Sequence, residues 1–131
     1  MKLIYPAIFK ECEEGRYAVS FPDLPGCFTE GDNMADALFM AQDAASGWVL
    51  DELESGNTPP EASNVSDIDL EEAQFVNLVA LDMDEYSEKY GNKAVKKTLT
   101  IPAWMNTFIE KKGVSCSKLL QDAINKIATA D

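Results

Sequence analysis

Lys96, Thr98 and Thr100 stand two residues apart in the run Val95-Lys-Lys-Thr-Leu-Thr-Ile-Pro102. Side chains on a strand alternate with period two, so these three share one side, and Val95, Leu99 and Ile101 share the other. Lys97 falls on the apolar side, at its open end. An ammonium and two hydroxyls in a row are donors and acceptors of the kind that reach base edges. The DNA major groove admits a two-stranded β-ribbon that would carry such a row twice. This is the one stretch of the chain whose residue types and spacing point to a definite chemistry.

The neighbouring residues supply the elements to hold it. Pro102 stops a strand and suits the first position of a helix, where its missing N–H costs nothing. Met105, Phe108 and Ile109 then follow helical spacing. Gly113 fits the left-handed residue after a helix end, and Ser115 is a good N-cap for a second helix. There Cys116, Leu119, Leu120, Ala123, Ile124 and Ile127 repeat as one broad apolar stripe. One strand and two helices in so short a segment cannot bury enough surface alone. A lone strand is also open to pairing. A dimer answers both needs: two strands pair antiparallel and four helices close over their apolar face.

The order strand, Pro, helix, Gly-Val-Ser-Cys-Ser, helix over Lys96–Ile127 resembles the ribbon-helix-helix family of repressors. The resemblance implies that the outward strand residues Lys96, Thr98 and Thr100 contact bases. It implies that the start of the second helix, Ser115, Cys116, Ser117 and Lys118, contacts phosphate, as free N–H groups and the helix dipole favour. Val95, Leu99, Ile101, Leu119, Leu120 and Ile124 would form the dimerisation core.

The charge is unevenly divided. The 131 residues carry a net charge of −12. Residues 1–93 hold 5 Lys+Arg against 20 Asp+Glu, and residues 94–131 hold 6 against 3. A body of −15 is thus joined to a tail of +3. Such asymmetry suggests two kinds of partner. Nucleic acid should approach the tail, and the body should attract a basic protein.

The body reads as an α+β layer, β-β-β-α-β. Leu3–Phe9 and the alternating Tyr17, Val19 and Phe21 form a hairpin around the polar turn Glu11–Gly15, with Pro6 implying an edge position or a bulge. Cys27–Glu30 makes a short third strand. Asn33 caps a helix running to about Glu54, with Asp36 in its first turn and an apolar face of Met34, Ala37, Leu38, Ala41, Ala44, Ala45 and Trp48. Glu61–Glu72 is an acidic connection. Phe75–Leu81 is the fourth strand. This places a body at 1–86, a linker at Ser87–Ala94 and a tail domain at 95–131.

Tyr5-Pro-Ala-Ile, Phe21-Pro-Asp-Leu-Pro-Gly-Cys-Phe-Thr-Glu-Gly31 and the following Ala37, Leu38 and Ala41 resemble the HicB antitoxin family. The resemblance covers nearly the whole chain. It implies an N-terminal domain similar to part of a ribonuclease H fold, joined to a DNA-binding tail of the ribbon-helix-helix branch. It also implies a HicA-like partner, a small basic ribonuclease toxin with a catalytic histidine, which the N-terminal domain covers. The expected role is that of an antitoxin that neutralises the toxin and represses its own operon by binding operator DNA. Self-association as at least a homodimer is expected.

Catalytic chemistry finds little support. The chain has no histidine, so neither a Ser-His nor a Cys-His pair can form. The three cysteines, Cys12, Cys27 and Cys116, are scattered without a C-x-x-C, which argues against a zinc site or a disulfide scaffold. No cofactor, no metal and no catalytic residue is expected. The enzyme alternative is a metal-dependent nuclease using Asp23, Glu30, Asp32, Asp36 or Asp43. Turn, cap and solvent roles explain Asp23, Asp32, Asp36 and Asp43 more simply. A third reading is a plain repressor with a ligand-sensing N-terminal domain. No run of apolar residues is long enough to span a membrane, and the start lacks a secretory signal, so a cytoplasmic location is expected.

Overall fold

A computed structural model describes residues 1–130; Asp131, the last residue of the expected tail domain, lies outside them. The chain divides into two compact units, Met1–Lys93 and Ala94–Asp131. The first contains β1 (Lys2–Glu11), β2 (Tyr17–Ser20), β3 (Phe28–Gly31), α1 (Met34–Glu54), β4 (Gln74–Asp82) and α2 (Met83–Tyr90). The second contains α3 (Ala103–Lys112) and α4 (Cys116–Ala130). None of these helices is long and apolar enough to cross a membrane.

The four strands form one antiparallel sheet in the order β3-β2-β1-β4. Alternation along β1 sends Tyr5, Ala7 and Phe9 inward, where they meet Val79 and Leu81 of β4 in a common core. Helix α1 covers this face with Ala37, Ala41, Ala45 and Val49, all fully buried. Their small size brings the helix close to the sheet. Close approach also explains Gly31, where an added Cβ would overlap the backbone of Ala37. Asn33 caps α1 by accepting from the Asp36 amide at 2.8 Å.

Several details depart from the sequence reading. Pro6 lies in β1, which has a neighbour on both sides of the sheet. Yet β2 pairs only with Ile8–Glu11, so at Pro6 the strand has β4 alone beside it. The missing N–H therefore breaks no ladder on the β2 side. Leu38 is exposed rather than part of the buried face, while Ser46, Val49 and Leu50 are buried. The buried stripe runs further towards the end of α1 than its alanines indicate. Cys27 precedes β3 rather than starting it.

The expected linker Ser87–Ala94 is corrected by α2, which contains Ser87–Tyr90. The Asp82 side chain accepts from the Glu85 amide at 3.2 Å and starts this helix directly after β4. Tyr86 then packs over Gly47 of α1, so these residues belong to the body.

The connection between α1 and β4 is tied down at two points. The Tyr5 hydroxyl donates to the Pro60 carbonyl at 2.6 Å, and Asp23 accepts from the amide and the hydroxyl of Ser63. A short 3₁₀ turn at Val65–Asp67 is its only regular element.

In the second unit, residues 94–102 form no regular secondary structure, so the expected strand Val95–Ile101 is absent from the single chain. A strand needs a hydrogen-bonded neighbour, and this segment has none within the chain. Pro102 takes the position before α3 rather than its first residue. Gly113 adopts φ 67°, and the Gly113 and Val114 amides donate back to Glu110 and Ile109, which ends α3 in a left-handed turn.

Candidate functional site

The second unit has no core. Not one of residues 94–130 is buried, and Ile109 alone is partly so. Val95, Leu99, Ile101, Leu119, Leu120 and Ile124 are all exposed, Val95 at 88 %. Trp104, Phe108 and Ile127 add to the uncovered apolar surface. Apolar area of this extent on one small unit marks an interaction surface.

Lys96, Thr98 and Thr100 are exposed on the irregular segment. The single chain does not align them on one side of a strand. Ser115 does start α4: its hydroxyl accepts from the Lys118 amide at 3.3 Å, and its carbonyl accepts from Leu119 at 3.1 Å. Cys116 and Ser117 open the first turn, ahead of the first intrahelical bond. Their amides are among those a helix start leaves for an anion. The Lys118 ammonium lies 4.0 Å from Asp122, one turn on, in an exposed pair that contributes little.

In the first unit four of the five acidic residues named above have structural partners. Asp32 and Glu30 pair with Arg16 at 2.6 and 3.3 Å. Asp36 accepts from the Asp32 amide at 2.9 Å. Asp23 holds Ser63. Among the described residues no three His, Cys, Asp or Glu side chains come together as a metal site would require.

A groove between α1 and α2 is the feature that sequence reasoning missed. It holds about 220 Å³ and is lined by Phe39, Asp43, Glu85, Tyr86, Lys89 and Tyr90 among others. Phe39 is 73 % exposed and Tyr90 58 % exposed. The rings of Tyr86 and Tyr90 lie 4.7 Å apart, one helical turn from each other. The Tyr86 hydroxyl points to Asp43 at 3.5 Å. Burial pushes the Tyr86 phenol above its ordinary range, and the Asp43 carboxylate pushes it further. The sequence does carry a signal for α2: Asp82-Met-Asp-Glu85 has the spacing of a capping box.

The chain matches a family model described as HicB_like antitoxin of bacterial toxin-antitoxin system over residues 5–127. A solved structure of a toxin-antitoxin complex from Streptococcus pneumoniae aligns with 96 % of this chain and 99 % of that one. The two share 28 % identity and a TM-score of 0.73. A chain from a HicA3 and HicB3 toxin-antitoxin complex aligns at 27 % identity and a TM-score of 0.50, over 61 % of this chain and 99 % of its own. Antitoxin HicB 1 of Photorhabdus laumondii is 52 % identical over 40 residues, which are 30 % of this chain and 26 % of that protein. With nearly its whole length matched by the family model, the chain belongs to the HicB-like antitoxins of bacterial toxin–antitoxin systems.

Proposed function

We propose that this chain neutralises a HicA-like, mRNA-cleaving ribonuclease through Met1–Lys93 and represses its own operon through the remainder. The observation that carries the reading is the contrast between a closed acidic unit and a basic unit with no buried residue. The second unit gains a core when two copies pair through Val95, Leu99 and Ile101 as an antiparallel ribbon, with α3 and α4 of both copies closing over it. That arrangement is a ribbon-helix-helix dimer. It sets Lys96, Thr98 and Thr100 twice on the outer face for base contacts, and the starts of two α4 helices against phosphate. The first unit, similar to part of a ribonuclease H fold, carries the charge that draws a basic toxin. The chain acts by binding, not by catalysis, in the cytoplasm.

The test is co-expression with a HicA-like toxin. The two should co-purify, growth should be restored, and the pair should retard a duplex from the operon's own promoter. A fragment ending at Lys93, which keeps α2 whole, should bind the toxin and not the duplex. A fragment that folds but releases a toxin held by the full chain overturns the division of roles.

A further inference from the structure

Tyr86 anchors α2 on α1, but the two aromatic rings at the rim of the groove between these helices are not needed to hold the first unit together. A phenylalanine at 73 % exposure on a helix gains nothing from folding, and Tyr90 at 58 % gains little. Both lie at the rim of one concavity, with the Tyr86–Tyr90 ring pair on its α2 side. Of the carboxylates around the groove and the start of α2, Asp82 is used as a helix cap and Asp84 pairs with the N-terminal amine at 2.8 Å. Asp43 and Glu85 remain. Asp43 has only a long contact to the Tyr86 hydroxyl. Lys89 also lines the groove, at the helix end where the dipole favours a cation. The lining stays net negative beside it.

Aromatic faces with carboxylates beside them form a receptor for a cation that is itself flat and apolar-faced. Guanidinium fits best: it stacks on rings and offers a fork of donors to carboxylates. The volume of about 220 Å³ lies below the range of small-molecule pockets, roughly 300–1,000 Å³. It suits one side chain of a larger partner. The charge of the first unit, 5 Lys+Arg against 20 Asp+Glu up to residue 93, selects a basic partner and excludes nucleic acid.

We infer that this groove docks an arginine side chain presented by a basic partner protein, with Phe39, Tyr86 and Tyr90 packing against it and Asp43 and Glu85 accepting its hydrogen bonds. The inference deepens the proposed function, since the partner is the toxin, and supplies a contact surface on the first unit. Aromatic anchors beside an arginine are the residues that dominate interface energetics. Steering by the wider acidic surface would set the association rate, and the groove would set the dissociation rate.

Two experiments decide it. The full chain and its Phe39→Ala/Tyr90→Ala variant are each titrated with a HicA-like toxin, at fixed salt. The variant should lose roughly tenfold or more in affinity, through faster dissociation. Glu85→Gln and Asp43→Asn should each lose less. The melting temperature should hold, since the two rings are exposed. Toxin bound by the wild type and held equally by the double variant overturns the groove while leaving the proposed function standing. In the second experiment, N-acetyl-arginine amide and N-acetyl-citrulline amide are titrated into the full chain while the Tyr86 and Tyr90 ring resonances are followed. The arginine compound should shift them and the uncharged one should not. Equal shifts, or none, overturn the recognition of guanidinium. A selective shift in a chain that binds no toxin supports the groove and removes the toxin as its partner.

Discussion

Helices α1 and α4 make an instructive pair. Around α1, apolar and polar residues are only weakly separated, yet six of its residues are buried: Ala37, Ala41, Ala45, Ser46, Val49 and Leu50. Around α4 the separation is sharp, with Leu119, Leu120, Ile124 and Ile127 on one stripe, and nothing is buried. An amphipathic pattern therefore says that a face needs cover; it does not say that the same chain provides it. The first unit meets that need with its own four-stranded sheet, whose fourth strand comes from far along the chain. The second has two helices and an extended segment, and each of its apolar faces ends at solvent. One unit is a finished fold and the other leaves its apolar faces uncovered.

The contrast breaks if the second unit is complete without a copy of itself. Ile101→Asp places a carboxylate where two chains should meet, and an unpaired buried charge costs several kcal/mol or forces the site open. The expected outcome is loss of dimer formation through this unit and loss of operator binding together. The first unit should keep its unfolding transition. Analytical ultracentrifugation and a gel shift read both effects. A variant that remains dimeric through residues 94–131 and binds operator normally removes the ribbon.

A smaller effect is expected from the opposite perturbation. Phe9 is fully buried, and its ring lies 5.8 Å from that of Phe75 on the neighbouring strand. Truncation leaves a cavity that the sheet and α1 cannot close, so Phe9→Ala should cost the first unit about 3–5 kcal/mol. Its denaturation midpoint should fall while the dimerisation constant of the second unit stays put. A linked shift in both would show that the two units fold as one cooperative body.

The same comparison explains which parts of the structure could be read from the residues. Local signals were enough for the Asn33 cap, the left-handed Gly113 and the Ser115 cap, because each depends on a few neighbouring backbone groups. The sheet order β3-β2-β1-β4 was not readable, since pairing between β1 and β4 joins residues some seventy positions apart. Pro6 suggested an edge because proline lacks the N–H that a ladder uses; the edge is a local one, since β2 stops at Ser20 opposite Ile8 and leaves Pro6 beside β4 alone, which nothing near Pro6 in sequence announces. Helix α2 escaped notice for a different reason. It is eight residues long and mostly polar, so its start signal, Asp82 with Glu85, had no apolar repeat behind it. The groove depended on α2 and on where Tyr86 meets Gly47, and was hidden with it. In the second unit the opposite holds. Residues 95–101 carry a clear alternation, and the ladder that would express it needs a strand the single chain does not contain.

The finest test asks whether the second unit separates base reading from backbone holding. In a paired ribbon, Thr98 is the middle member of the outward row, flanked by Lys96 and Thr100 on its own strand and by their copies on the other. A threonine hydroxyl can bond a base edge and its methyl can touch that of thymine, so Thr98→Ala removes sequence information. The loss in discrimination between operator and scrambled duplex should be about 1–3 kcal/mol. Ser115 works differently: its hydroxyl holds the Lys118 amide and fixes the start of α4, where phosphate would sit. Ser115→Ala should destabilise that cap by about 1 kcal/mol and weaken both duplexes alike, because phosphate contacts position without specifying. Both variants are titrated against both duplexes at one salt concentration, since phosphate binding changes steeply with salt. Neither should release the toxin, whose site is assigned to the other unit. If Thr98→Ala leaves the operator-to-scrambled ratio unchanged, and Lys96→Ala and Thr100→Ala do the same in folded dimers, the outward row does not read this DNA. The uncovered face of Val95, Leu99 and Ile101 would then serve assembly alone.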